Sequence, residues 1–151
     1  MLAPGEKAPS FSLPDATTGS LVSEPWSERR AAIAFFKTTC PVCQMVAPKL
    51  TALVAGGAPL VGVGQDPPER LQAYAIKHGQ HIPTVSERPP YELSSGFGIS
   101  VVPTMFVVEP DGIIADVVVS WDRDRWNRVA ESLGGGAISD ESDGLPVFRP
   151  G

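Results

Sequence analysis

The chain is poor in the residues that mark specialised protein classes. Only two cysteines, Cys40 and Cys43, occur in 151 residues, too few for a disulfide-stapled scaffold. Histidine is equally scarce, at His78 and His81. A Cys2His2 zinc site wants about 12–15 residues between its pairs and 3–5 between its histidines. Here 34 residues separate Cys43 from His78 and two separate the histidines, so no metal site is read. Lys and Arg never cluster and the net charge is -5, which argues against a nucleic-acid or anionic-membrane partner. No apolar run approaches the ~18 residues that a transmembrane helix needs. The opening "MLAPGEKAPSFSLPDATTG" lacks the basic and apolar regions of a signal peptide, so a cytoplasmic location is expected.

What is present reads as one ordinary globular domain, 42% apolar and 19% charged. "AAIAFF" (Ala31–Phe36) and "APLVGVGQ" (Ala58–Gln65) are continuous apolar runs of strand length, the pattern of strands covered on both faces. "TMFVVE" and "GIIADVVVS" are rich in β-branched residues, and the "PDG" between them predicts a hairpin. Helices are expected over "PVCQMVAPKLTALVAG", over "DPPERLQAYAIKHG" with Asp66 as a candidate N-cap, and over "DRDRWNRVAESLGG". "PPYELSSGFG" reads as a short helix ending near Gly96. A short N-terminal strand or hairpin precedes them. The order implies a βαβ unit followed by an antiparallel hairpin and a helix: an α/β domain with a mixed sheet between helices, over residues 1–134. Residues 135–151 are rich in Gly, Ser and Asp and read as a flexible tail, although "LPVF" is apolar enough to dock.

The two cysteines fall where the first long strand hands over to a helix, in "FFKTTCPVCQMVAPKL". Cys40 would sit at the helix N-terminus, where free N–H groups and the helix dipole stabilise a thiolate, the nucleophilic form. Cys43 lies one turn on and is placed to close a disulfide with it. Pro41 suits the first turn, which needs no N–H donor. The competing reading, two small core residues, fits neither the spacing nor the junction.

This segment resembles the active site of the thioredoxin superfamily: strand, Cys-x-x-Cys, and a helix with a proline, here Pro48, eight residues after the first cysteine. A second segment, "SVVPTMFVVEPDG", resembles the superfamily's cis-proline region. The resemblance implies a thioredoxin-like fold and a cis Val102–Pro103 bond. It places the Val102 backbone beside the cysteines, with Thr39, Pro41, Val42 and Val102 contacting substrate. The start "GEKAPSFSLPDATTG" is similar to the redoxin branch, which holds the TlpA/ResA-type thiol–disulfide oxidoreductases and the AhpC/TSA peroxiredoxins. The match spans residues 4 to 134. It implies a thiol–disulfide oxidoreductase with Cys40 as nucleophile, Cys43 as resolving thiol and Pro103 beside them. Asp66 is then a candidate for managing the proton of the buried thiol, besides its reading as an N-cap. No bound cofactor is implied. The expected partners are protein or small-thiol disulfides and a reductase or small-thiol electron donor. Three departures blur the subtype. Thr39 replaces the usual Trp before the first cysteine, and Ala34 stands where thioredoxin has a buried Asp. Lys37 and Ile33 occupy the Thr and Pro positions of the peroxiredoxin motif, which makes peroxidase chemistry the runner-up; a non-enzymatic thioredoxin-like redox sensor or metal-binding module is the other alternative.

Overall fold

A computed structural model describes residues 1–151. Its centre is a five-stranded sheet in the order β5-β4-β3-β6-β7. These strands are β3 (Ala31–Phe36), β4 (Leu60–Gly64), β5 (Thr84–Ser86), β6 (Thr104–Val108) and β7 (Ile114–Val119). β3, β4 and β5 run parallel, whereas β6 and β7 are antiparallel to their neighbours. An N-terminal hairpin, β1 (Ser12–Pro14) with β2 (Leu21–Ser23), lies outside this sheet. The helices are α1 (Pro41–Ala55), α2 (Pro68–His78), α3 (Glu92–Phe97) and α4 (Arg123–Ser132). None is long and apolar enough to cross a membrane.

Every residue of β3 is buried, which explains its unbroken apolar sequence. Its side chains alternate between two cores. Ala32 and Ala34 face a core built with Val46 and Leu50 of α1 and Trp126 of α4. Ile33 and Phe35 face a second core, in which Phe35 meets Phe106 edge to face and Phe97 packs tilted against both. A smaller third cluster gathers Ala16, Phe36, Cys43, Leu71 and Tyr74, with Cys40 and Val102 packed on it. Helix α2 lies so close to the sheet that a Cβ at Gly64 would come within 2.4 Å of Leu71 Cδ2.

Two local expectations are corrected. Asp66 is not the N-cap of α2: Pro67 holds that position, and Asp66 turns its carboxylate to Thr38 instead. Helix α3 ends near Gly96 as expected, its last residue being Phe97 and its cap Gly98, whose φ of 68° suits a residue without a Cβ. The tail expected to be flexible is seated on the body. Buried Arg123 donates to the Leu145 carbonyl and to Ser139 Oγ, and Trp121 Nε1 donates to the Pro146 carbonyl at 2.7 Å. Lys49 pairs with Asp143 at 2.8 Å. The strand β9 (Phe148–Arg149) then pairs with β8 (Trp121–Asp122). The Ser and Asp residues that resemble a linker in composition act here as anchors, because their partners lie on α1 and α4.

Candidate functional site

Cys40 is itself the N-cap of α1, with extended backbone (φ −85°, ψ 117°) and Pro41 in the first turn. The Cys43 N–H donates to Cys40 Sγ at 3.2 Å. That interaction makes the sulfur an acceptor for one of the free donors of the helix start. On its other side the Cys40 thiol points to the Val102 carbonyl, 3.6 Å away. The Val102–Pro103 bond is cis and Pro103 is buried. Both cysteines are free thiols.

The two thiols differ sharply in environment. Cys40 is half-buried, whereas Cys43 is 1% exposed. Burial pushes the Cys43 thiol well above the usual thiol range, and the hydrogen bond and charge of Cys40 add to this. Tyr74 shares the cluster with Cys43, and its buried hydroxyl has no hydrogen-bond partner. Burial, followed by the nearby thiol charges, also makes that phenol a weaker acid.

The other sequence candidates separate into groups. Thr39 and Pro41 are exposed beside Cys40. Val42, expected to contact substrate, is only 5% exposed and packs into the core with Val46 and Trp121, so its side chain cannot face a ligand. Asp66 accepts from Thr38 Oγ1 at 2.8 Å and meets Arg70 at 3.4 Å. No hydrogen bond joins it to either thiol: the Cys40 sulfur accepts from the Cys43 N–H and faces the Val102 carbonyl, and the Cys43 thiol meets Cys40 and the Lys37 backbone. Ala34 is buried and apolar. No group of three or more His, Cys, Asp and Glu side chains is placed to hold a metal ion.

Sequence reasoning missed two features. The first is a cavity of about 260 Å³ whose lining includes Lys37, Gln65, Tyr91, Ser95, Ser100 and Val102. The second is the tail. The Gly151 N–H donates to Ser120 Oγ at 2.9 Å, and a Cβ at Gly151 would lie 2.0 Å from the Val102 oxygen. The tail therefore rests on the same carbonyl that faces Cys40. Only Lys37 carried a signal in the sequence, as an isolated cation three residues before Cys40.

This arrangement of a half-exposed thiol on a helix cap, a buried partner thiol and a neighbouring cis-proline carbonyl defines a thioredoxin-fold redoxin. The AhpC/TSA family model matches residues 4–117, so the chain belongs to the AhpC/TSA family. A Mycobacterium tuberculosis protein described as "Putative peroxiredoxin Rv2521" is 29% identical over 130 residues, covering 75% of this chain and 82% of that protein. Among solved structures, the thioredoxin domain of a thiol-disulfide oxidoreductase from Bacteroides vulgatus superposes with a TM-score of 0.77 at 20% identity. It covers 89% of this chain and all of that one. StoA from Bacillus subtilis gives 0.69 at 18% identity, covering 85% and 98%. At these identities the structural likeness speaks for the fold.

Proposed function

We propose that the chain is a dithiol–disulfide oxidoreductase that reduces disulfides through Cys40 and Cys43. The observation that carries this reading is the asymmetry of the pair: Cys40 is reachable and held by the Cys43 N–H, whereas Cys43 is buried with its proton retained. The Cys40 thiolate attacks one sulfur of a substrate disulfide RS–SR. That S–S bond breaks, RS⁻ leaves and takes up a proton, and a Cys40–SR mixed disulfide forms. Cys43 loses its proton and attacks the Cys40 sulfur. The second RS⁻ leaves, and the Cys40–Cys43 disulfide holds the oxidation. Two electrons have passed to the substrate, and an external dithiol reductase or small thiol restores the pair. A reducing compartment such as the cytosol suits this direction.

The family and the mycobacterial relative support a second reading, a thiol peroxidase. There the Cys40 thiolate would take oxygen from a hydroperoxide, releasing the alcohol or water, and Cys43 would condense with the sulfenic acid and expel water. Lys37 in place of the motif threonine weighs against it. Purified protein supplied with dithiothreitol separates the two. The expected result is reduction of insulin and small disulfides above the dithiothreitol background, with slow peroxide consumption. Rapid peroxide turnover without disulfide reduction would refute the oxidoreductase reading.

A further inference from the structure

We infer that the site selects small disulfides bearing a carboxylate, with Lys37 as the residue that sets this preference. The inference rests on the oxidoreductase reading and names its substrate class. Two independent observations lead to it. The first concerns what is closed. An extended peptide docking beside Cys40 would pair with the backbone at Val102, since that carbonyl is the acceptor facing the thiol. Gly151 already lies on that carbonyl, close enough that no side chain fits between them. The tail leading to it is tied down by Trp121, Arg123 and the β8–β9 pair. A peptide strand must displace this segment before it can pair.

The second observation concerns what is open. The cavity has room for a small molecule of several heavy atoms, and its lining includes both Lys37 and Val102, whose carbonyl faces Cys40. Its lining includes hydroxyl, amide and ammonium groups but no carboxylate. Lys37 is the one charged residue of that lining, and its ammonium forms no ion pair. The nearby acids are engaged elsewhere. Glu87 accepts from the Ser94 N–H and hydroxyl, and Asp66 accepts from Thr38 and Arg70. A disulfide with one sulfur at Cys40 and a carboxylate on a short arm would carry that carboxylate toward a cavity whose lining holds one charged residue, the cation Lys37. Lysine suits this as a flexible point charge with three donors.

The test compares three disulfides in the dithiothreitol-coupled assay at low ionic strength: 3,3′-dithiodipropionate, its neutral diamide, and cystamine, which is cationic. The expected order of kcat/KM is dicarboxylate, diamide, cystamine. About fivefold between the first two is the size appropriate to one partly exposed ion pair. Lys37→Gln should bring that ratio close to one, chiefly through a higher KM for the dicarboxylate, and Lys37→Arg should keep most of it. If Lys37→Gln slows all three substrates alike and leaves the ratio intact, Lys37 acts through the thiol and the proposal is wrong. Turnover of diamide and dicarboxylate at equal rates by the native protein overturns the substrate class while leaving the oxidoreductase reading in place. Turnover of none of the three, with insulin still reduced, overturns the substrate class alone; failure on insulin as well overturns both.

Discussion

Gly151→Val should turn the tail from a cover over Val102 into a loose end. A valine Cβ would start 2.0 Å from the Val102 oxygen and 2.8 Å from its carbon. That is more than 1 Å short of the ~3.3 Å at which carbon and carbonyl oxygen touch. The carbonyl belongs to the residue that leads into buried Pro103 and strand β6, whereas Gly151 is exposed, so the tail must move. What it gives up is the hydrogen bond from Gly151 N–H to Ser120 Oγ, worth about 1 kcal/mol net. The anchors further back, Trp121 to Pro146 and Arg123 to Leu145, stay in place. Global stability should therefore fall only slightly, by less than about 4 °C in Tm. If the closed tail is favoured by ~1 kcal/mol, only about one molecule in six is open to a peptide. Apparent peptide affinity is reduced by that fraction. Releasing the tail should raise kcat/KM for insulin disulfides about fivefold, while the small diamide, which enters from the Lys37 side, should change less than twofold. Insulin turnover that stays within twofold of the native protein would refute the view that the tail competes with peptide docking.

Two further outcomes follow from the thiols. Burial raises the Cys43 thiol above its ordinary value of about 8.5. The folded state therefore holds a proton that the unfolded chain releases, so this contribution is complete below that value and is lost as pH rises above it. The Tm of the reduced protein should fall between about pH 8.5 and 10.5, and Cys43→Ala should flatten that fall; equal slopes for both proteins would contradict the assignment. Cys43→Ser should accumulate mixed disulfides on non-reducing gels after incubation with substrate and Cys40→Ser should not, since only Cys40 is reachable; equal trapping by both would show the roles to be wrongly given.

The sheet was legible from composition alone where burial is complete. β3 and β4 are covered on both faces, so their residues are apolar without interruption, and "PDG" marks the β6–β7 turn. The cysteine pair was legible because its chemistry depends on local order: strand, cap, proline, helix. What escaped was whatever depended on distant partners. Asp66 has the sequence context of a helix cap, yet Thr38, 28 residues earlier in the chain, claims its carboxylate. The tail has the composition of a linker, yet Arg123 and Trp121 bind its carbonyls, and nothing near residues 139–146 announces those donors. Val42 sits between the two cysteines and was expected to contact substrate; its place one residue into α1 turns its side chain into the core.

These contacts also determine how the reaction must finish. Resolution requires Cys43 to lose its proton, and the site has no evident group to receive it. Ala34 is apolar, Asp66 is occupied by Thr38 and Arg70, and Tyr74 is a protonated phenol made less acidic by burial and the thiols. The proton must then reach solvent past the half-buried Cys40. Only the thiolate attacks, so resolution should accelerate with pH by about tenfold per unit while Cys43 remains mostly protonated. A stopped-flow experiment starting from the Cys40 mixed disulfide with a chromogenic thiol measures this step directly. A steep rise between about pH 6 and 8 is expected on that proton balance. A flat profile would mean that a protein group accepts the proton within the site, and Asp66→Asn would then be the variant to slow it.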